Sequence, residues 1–355
     1  MKKRIPAGIL LALASCAVQA DYQDLQIART VERVAAIESY SGELTQTGLF
    51  GSTPVVSEVA FRRPHDIWTK VTSPALLAGT VTRYTPDELL VWSPQQELAL
   101  RIRHLTAPET ASEGKRIEDA WRTNTDSYLY GFGKVQEVAG LPTIAIDQRA
   151  RHGGQLIQSS LTRVYDDFSV PLAGTVTLRG GARLDYRYNR VAFNNNAVVP
   201  PMPVPPASTL LVEWDMAAAG RSEADVAARV PKALPFPAKL GGLARDRLLI
   251  HPDAVPAVAG WYRDADYYLL VTASRDTGFM PLRDEKGPRE YGLKVPLGER
   301  ALDAHLVLTP WLSTWSFRRD GVLYTVLSNL HPETLYRELG THWGAGGKTT
   351  GSQKP

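Results

Sequence analysis

The 355-residue sequence has one cysteine, Cys16, so no disulfide can form within the chain. Beyond the first twenty residues no run approaches the roughly 18 consecutive apolar residues of a membrane-spanning helix. Net charge is also missing. The 40 basic residues lose Lys2, Lys3 and Arg4 if the first twenty are removed, leaving 37 against 37 acidic ones. A neutral chain without basic runs carries no electrostatic footprint for nucleic acid. Catalytic signatures are absent as well: there is no G-x-S-x-G elbow, no phosphate-cradling G-x-x-x-x-G-K-[ST] and no H-E-x-x-H. None of the seven histidines, His65, His104, His152, His251, His305, His331 and His342, stands at metal-ligand spacing from another. Asp166 with Asp167 and Asp264 with Asp266 are paired carboxylates, but each pair sits at a turn signal, where aspartate serves the backbone. The lone Gly131-Phe132-Gly133 reads as a turn. The expectation is a protein that is not an enzyme and needs no cofactor or metal.

What is present begins with "MKKRIPAGILLALASCAVQA", a basic start, a short apolar run and small residues, the make-up of an export signal over residues 1–20. Two cleavage readings stand. Leu13 to Cys16 fits a lipobox that would leave Cys16 acylated at the new N-terminus, and Val18 to Ala20 fits ordinary cleavage before Asp21. The expected location is the periplasm, as a soluble protein or one anchored to a membrane through Cys16.

From Asp24 to Ile37, Leu25, Ala28, Val31, Val34 and Ala35 recur at helical spacing. Short strand-like runs separated by Gly, Pro and Ser follow, and a segment from Glu113 to Phe132 places Ile117, Trp121 and Tyr128 on one helical face. Strands then resume up to a proline-rich stretch, Val198 to Pro206, which excludes helix and central strand. After one more strand, Thr209 to Met216, Ser222 with Asp225 three residues on marks a helix start. Asp320-Gly321 marks a hairpin, and a last helix runs from Pro332 to Gly340. The predicted fold is α+β. A half-open antiparallel β-barrel with a helical lid spans 21–215, a smaller antiparallel α+β domain spans 216–343, and 344–355 are a disordered tail.

One position breaks the pattern. Alternation places Val55, Val59 and Phe61 on one strand face, and Arg63 falls on that same apolar side. The strand either ends at Arg62, with Arg63 turning to solvent before Pro64, or carries the cation inward; alternation leaves both open. Aromatic Trp68, Trp92 and Trp121 are candidates for an apolar cavity, though strand aromatics also serve ordinary cores.

Three segments resemble the LolA, LolB and RseB/MucB superfamily of periplasmic lipoprotein carriers, receptors and envelope-stress regulators. "FRRPHDIWTKV" is similar to that family's Arg-Pro strand, "YTPDELLVWSP" to its turn and apolar-aromatic strand, and "YRYNRVAFNNNAVVPPMPVPP" to its closing strand and proline-rich end. The resemblance covers roughly residues 22 to 206; a weaker one, in "STWSFRRDGVLYTVLSNLHPETLYREL", touches the two-domain members. It implies a non-catalytic envelope protein that binds an acylated lipoprotein or lipid. It also implies an inward Arg63 that bonds the covering helices and holds them until acyl chains displace it. Phe61, Val59, Leu90, Trp92, Leu98 and Leu100 are the expected walls. The alternative is a regulator of the RseB kind, docking on a membrane-bound partner protein through residues 221 to 343.

Overall fold

The computed structural model describes residues 28–48, 53–63, 66–85, 87–105, 127–152, 155–179, 181–201, 204–252, 256–264, 267–275, 293–295, 302–308, 313–330 and 332–344. Residues 1–20 with Cys16, expected to be an export segment, residues 113–126 of the central helix reading and the tail from 345 lie outside them. So does Trp121.

Residues 28–35 form the helix α1. The first run of strands is β1 (Ser39–Thr47), β2 (Val55–Arg62), β3 (Asp66–Ser73), β4 (Val81–Tyr84), β5 (Glu88–Ser93) and β6 (Leu98–Arg103). The second run is β7 (Tyr128–Val138), β8 (Leu141–Ala150), β9 (Ile157–Tyr165), β10 (Val170–Leu178) and β11 (Arg183–Phe193), with β12 (Leu210–Asp215) after the prolines. Among the described residues these twelve make one open sheet, ordered β12-β6-β5-β4-β3-β2-β1-β11-β10-β9-β8-β7. Neighbours pair antiparallel except at one edge, where β12 runs parallel to β6, Trp214 opposite Ile102. The sheet is therefore mixed, not antiparallel throughout. The reason is the connection. From β11 the chain must reach the far side of the sheet, and the described residues of 198–206 form neither helix nor strand, so they lead across without pairing.

Two further expectations are corrected by β7. Tyr128 to Phe132 are extended, not the end of a helix, and Gly131 and Gly133 lie inside the strand, not in a turn. The register shifts between Phe132 and Val135, a bulge containing Gly133, where a Cβ would meet the Ala145 Cβ at 2.9 Å. Phe132 and Val135 are 70% and 64% exposed on this edge strand.

The second sheet contains β13 (Lys239–Leu240), β14 (Leu243–Ile250), β15 (Ala257–Arg263), β16 (Tyr268–Arg275), β17 (Leu293–Val295), β18 (Leu302–Leu308), β19 (Ser313–Arg319) and β20 (Val322–Ser328). Asp320 and Gly321 both have positive φ, 53° and 79°, and join β19 to β20 as a tight hairpin whose twist suits the strands. Ser222 and Asp225 form a reciprocal capping box on helix α2 (Glu223–Arg229). Helix α3 (Pro332–Gly344) runs past Gly340, which does not end it.

This sheet is apolar on both faces. On one, Leu249, Ala259, Trp261, Tyr268, Leu270 and Leu327 pack with Tyr84, Leu89, Ile102 and Trp214 of the first sheet. On the other, Val258, Tyr262, Val271, Trp315 and Tyr324 pack with α2, α3 and residues Leu156 and Leu178 of the first sheet. Burial of this extent on both faces is the main favourable contribution to holding the two sheets together.

A polar contact joins the same elements. Glu333, in the first turn of α3, is 1% exposed. Its Oε2 accepts from the Tyr128 hydroxyl at 3.0 Å and from the Leu156 N–H. Burial first, then the neighbouring Glu333 carboxylate, pushes the Tyr128 phenol well above its ordinary pKa, so it stays a donor. Replacing Glu333 by Leu would leave both buried donors without this acceptor, at a cost of about 2–5 kcal/mol in total. We expect Glu333→Leu to lower the urea midpoint by a corresponding amount, and Glu333→Gln, which keeps one acceptor oxygen, to lower it less.

Candidate functional site

Strand β2 fixes the geometry of the region that the sequence singled out. Val55, Ser57, Val59 and Phe61 are buried on one face. The strand ends at Arg62, and Arg63 stands in the turn, half-buried, its N–H donating to the Glu38 carbonyl at 2.9 Å. Its side chain does not leave for solvent. Arg63 Nη2 donates to the Val34 carbonyl at 2.6 Å and Nε donates to the Ile37 carbonyl. Both acceptors belong to the C-terminal end of α1 and the residues just after it. The last carbonyls of a helix have no intrahelical donors, and the negative end of the helix dipole favours a cation there. The arginine thus fastens α1 to the end of β2.

Two other strand ends add to the fastening. Asn194, directly after β11, donates from Nδ2 to the Ala36 carbonyl at 3.1 Å and accepts the Glu38 N–H at 2.8 Å. Its φ of 53° suits asparagine better than most residues. Arg33 of α1 makes a two-pronged pair with Asp166 in the β9–β10 turn, 2.6 and 3.2 Å. This last pair is exposed and contributes little to stability, but it fixes direction. Asp166 is therefore an ion-pair partner in a turn. Asp264 accepts the Tyr267 N–H within its own turn, and Asp266 lies outside the described residues.

Beneath this helix end lies an apolar cluster of Ile37, Tyr40, Val59, Phe61, Leu172, Tyr188 and Phe193. Tyr40 stacks on Phe61 with ring centroids 5.3 Å apart, and Phe193 lies 4.9 Å from Phe168 of the β9–β10 turn. Two glycines let tyrosine rings lie flat across the strands. A Cβ at Gly42 would meet the Tyr188 ring at 3.0 Å, and one at Gly174 would meet Tyr186 at 2.7 Å. Burial pushes both phenols up to about 12, so they stay neutral at physiological pH.

Strand pairing sorts the expected wall residues. Phe61 opposes Ile67, Ile67 opposes Tyr84, Tyr84 opposes Leu89, and Leu89 opposes Ile102. Val59 and Leu100 follow the same parity, so they share the Phe61 face. Leu90 and Trp92 have the other parity and lie on the opposite face, with Ala60, Trp68 and Val81. Placing them beside Phe61 is corrected accordingly. In "ELLVWS" apolar residues are continuous, and no alternation reveals which of them face which way. Leu98 pairs with Ser93 and Leu210. The central strands are buried on both faces, with Trp68, Val81, Leu90 and Ala99 at 4% exposure or less.

At the rim of that opposite face, charges alternate across strands: Asp66 with Arg83, Glu88 with Arg101, Glu213 with Arg103, and Asp215 with His104 at 2.7 Å. Burial disfavours the Asp215 charge, but the Ala217 N–H, His104 and Arg103 outweigh it and hold the carboxyl below its ordinary pKa. Among the described residues no group of three or more His, Cys, Asp or Glu side chains is placed to hold a metal ion, and no helix is long and apolar enough to cross a membrane.

No protein-family model and no curated protein sequence matches the chain. Solved structures do. A crystal structure of MucB is similar at 16% identity and TM-score 0.45, over 91% of this chain and 97% of that one. The MucA/MucB complex of Pseudomonas aeruginosa is similar at 14% and 0.42, over 90% and 97%. A putative outer membrane lipoprotein-sorting protein domain from Vibrio parahaemolyticus is similar at 11% and 0.26, over 49% and 93%. Likeness at these identities and TM-scores assigns no activity to this chain.

Two outcomes test the site. Arg63→Leu removes a charge-assisted donor from two helix-end carbonyls, each such bond being worth about 1.5–3 kcal/mol; amide hydrogen exchange over residues 28–37 should accelerate at least tenfold while the sheet cores keep their protection. Asp215 has a depressed folded pKa, so its contribution is complete above its ordinary value of about 4 and disappears as pH falls through the lower folded value. Asp215→Asn should therefore flatten the acid limb of the stability-versus-pH curve, measured by urea unfolding.

Proposed function

We propose that this chain is an exported envelope protein that binds an acyl-chain-bearing ligand, a lipoprotein or a lipid, without catalysis. The observation that carries the reading is the Arg63 contact: a guanidinium in the turn after an apolar strand face, spent on the Val34 and Ile37 carbonyls where α1 ends, with Ile37 itself packed into the cluster on that face. A half-buried cation beside apolar walls is costly unless bonded, and bonds made to backbone carbonyls at a helix end can be exchanged for others when the helix shifts. In this reading α1 is the lid and Arg63 the latch. Opening exposes Tyr40, Val59, Phe61 and Phe193, and Leu100 extends the same face further along the sheet. Acyl chains laid there gain about 0.8 kcal/mol per buried methylene. Residues 1–20 supply export, and either Cys16 carries a lipid or Asp21 is the first residue.

The second sheet sets up the competing reading. It is bonded to the first through Glu333 and through apolar contacts on both of its faces, so a partner protein docked on it would feel changes in the first sheet. In that case the acyl site modulates docking on a membrane-bound regulatory protein, with 21–215 and 216–343 as the two working units.

Native mass spectrometry of the mature protein, purified gently from its own envelope, separates the two readings. Co-purifying acylated species, retained more strongly by Arg63→Leu, are expected from the carrier reading. An empty chain with a protein partner still attached moves the assignment to the regulator. Denatured mass on the same sample reads the N-terminus directly. With a series of fatty-acyl probes, affinity should rise about fourfold per added methylene. Flat affinity along the series, or Arg63→Leu that unfolds the chain or leaves retention unchanged, would remove the latch.

A further inference from the structure

A cavity lies on the solvent side of the first sheet, away from the α1 latch. Its volume is about 300 Å³ and it is lined from β1, β9, β10 and β11. Strand register arranges its side chains in two rows. Across the first run Arg163, Ala173, Arg187 and Thr45, each opposite the next. Across the second run Leu161, Thr175, Asp185 and Thr47. Paired strands are about 4.8 Å apart, so the two arginine Cα positions lie roughly 10 Å apart with only the methyl group of Ala173 between them. The small residue opens a floor, and the long cations flank it.

The charges in this groove are not cancelled. Arg187 is exposed and makes no hydrogen bond or ion pair among the described residues. Arg163 uses Nη1 on the Lys134 carbonyl at 3.0 Å. The one carboxylate in the rows, Asp185, is matched by Arg183 at 2.9 Å and accepts from the Thr175 hydroxyl at 2.5 Å. Burial opposes the Asp185 charge, yet these donors hold its carboxyl below the ordinary range, so it is an acceptor at neutral pH. Neighbouring acids outside the rows have partners of their own: Asp147 pairs with Arg149 at 2.9 Å, and Glu43 with Arg190 and Asn189. Two guanidinium groups remain for a ligand.

The other chemistry is that of hydroxyl recognition. Thr47 offers a hydroxyl, Thr45 accepts from Asn189 and keeps its own proton to give, and Asp185, already bonded by Thr175 and Arg183, can accept further. Leu161, 43% exposed, adds a small apolar wall. Tyr186 and Gly174 also line the cavity, but the Tyr186 ring lies across Gly174 towards the other face of the sheet, so it offers no stacking surface to the groove. We propose that this groove binds an anionic sugar, a polyhydroxylated ring carrying a carboxylate or a phosphate. The oxyanion sits between Arg163 and Arg187, above Ala173, where planar guanidinium groups can engage it in pairs. The ring hydroxyls face Asp185 and the threonines, and the ring's C–H face lies against Leu161. A volume at the lower end of small-molecule sites limits the bound portion to one or two rings.

Calorimetric titration of the full mature chain with D-glucuronate, glucose 1-phosphate, glucose and inorganic phosphate tests this. Saturable binding of one or both charged sugars, weakened at least tenfold in Arg187→Gln and in Ala173→Leu but unchanged in Arg149→Gln, is the expected result, and the stronger of the two identifies carboxylate or phosphate as the anion. Arg187 is on the surface, so its variant reads out binding even if Ala173→Leu fails to fold. No binding of either charged sugar overturns the proposal, as does binding that ignores Arg187→Gln. Glucose binding equally well would remove the role of the anion. Inorganic phosphate matching glucose 1-phosphate would remove the role of the ring.

Discussion

The backbone carbonyls left over where α1 ends are the constraint on which the first sheet's arrangement turns. A helix that stops above an apolar surface must find donors for its last acceptors, and water is partly excluded there. Besides the Ile37 N–H, which reaches the Val34 carbonyl, donors come from side chains placed where strands stop: Arg63 after β2 and Asn194 after β11. Both anchors lie at the ends of β2 and β11, the strands that flank β1 in the middle of the sheet. Ile37, two residues beyond α1, belongs to the same cluster as Tyr40, Phe61 and Phe193 and is fixed there through these directional bonds.

The second sheet obeys a different logic. Its cohesion with the first is mostly non-directional, with Trp261, Tyr268 and Leu270 against Trp214, Ile102 and Leu89. Glu333 adds one fixed point by joining α3 to Tyr128 and Leu156, at the start of β7 and just before β9. A buried carboxylate is expensive to desolvate, and here two donors offset that cost. The result is that α3 cannot slide along the first sheet without breaking specific bonds, although the apolar surfaces alone would tolerate some sliding.

Much of this was legible in the sequence wherever a residue has a local physical job. The Ser222–Asp225 box, the Asp320-Gly321 turn and the alternation from Val55 to Phe61 are each dictated within a few residues, and each appears as read. Arg63 was readable as an anomaly, a cation with the parity of apolar neighbours, and its partners emerged only once α1 was placed. Long-range facts were not legible. Leu90 and Trp92 sit in a strand buried on both faces, where a continuous apolar run erases parity. The parallel pairing of β12 depends on where the proline segment leads, which composition does not state. Asn194 had a weak signal, three asparagines after a strand, consistent with a left-handed turn but silent about the helix it caps. The groove beside Ala173 needs four strands in register before two distant arginines and an alanine become neighbours.

The edge formed by β7 carries a consequence for how such a protein behaves in a crowded compartment. An eleven-residue terminal strand that exposes Leu129, Phe132 and Val135 offers a template on which another chain's strand could grow. The bulge between Phe132 and Val135 interrupts that template near its middle, twisting the edge and setting Lys134 among the apolar side chains. Two short, misaligned half-edges replace one long straight one. The same irregularity that made this stretch hard to read as a strand therefore guards colloidal behaviour: it lets the sheet end in the open without inviting a neighbour to continue it.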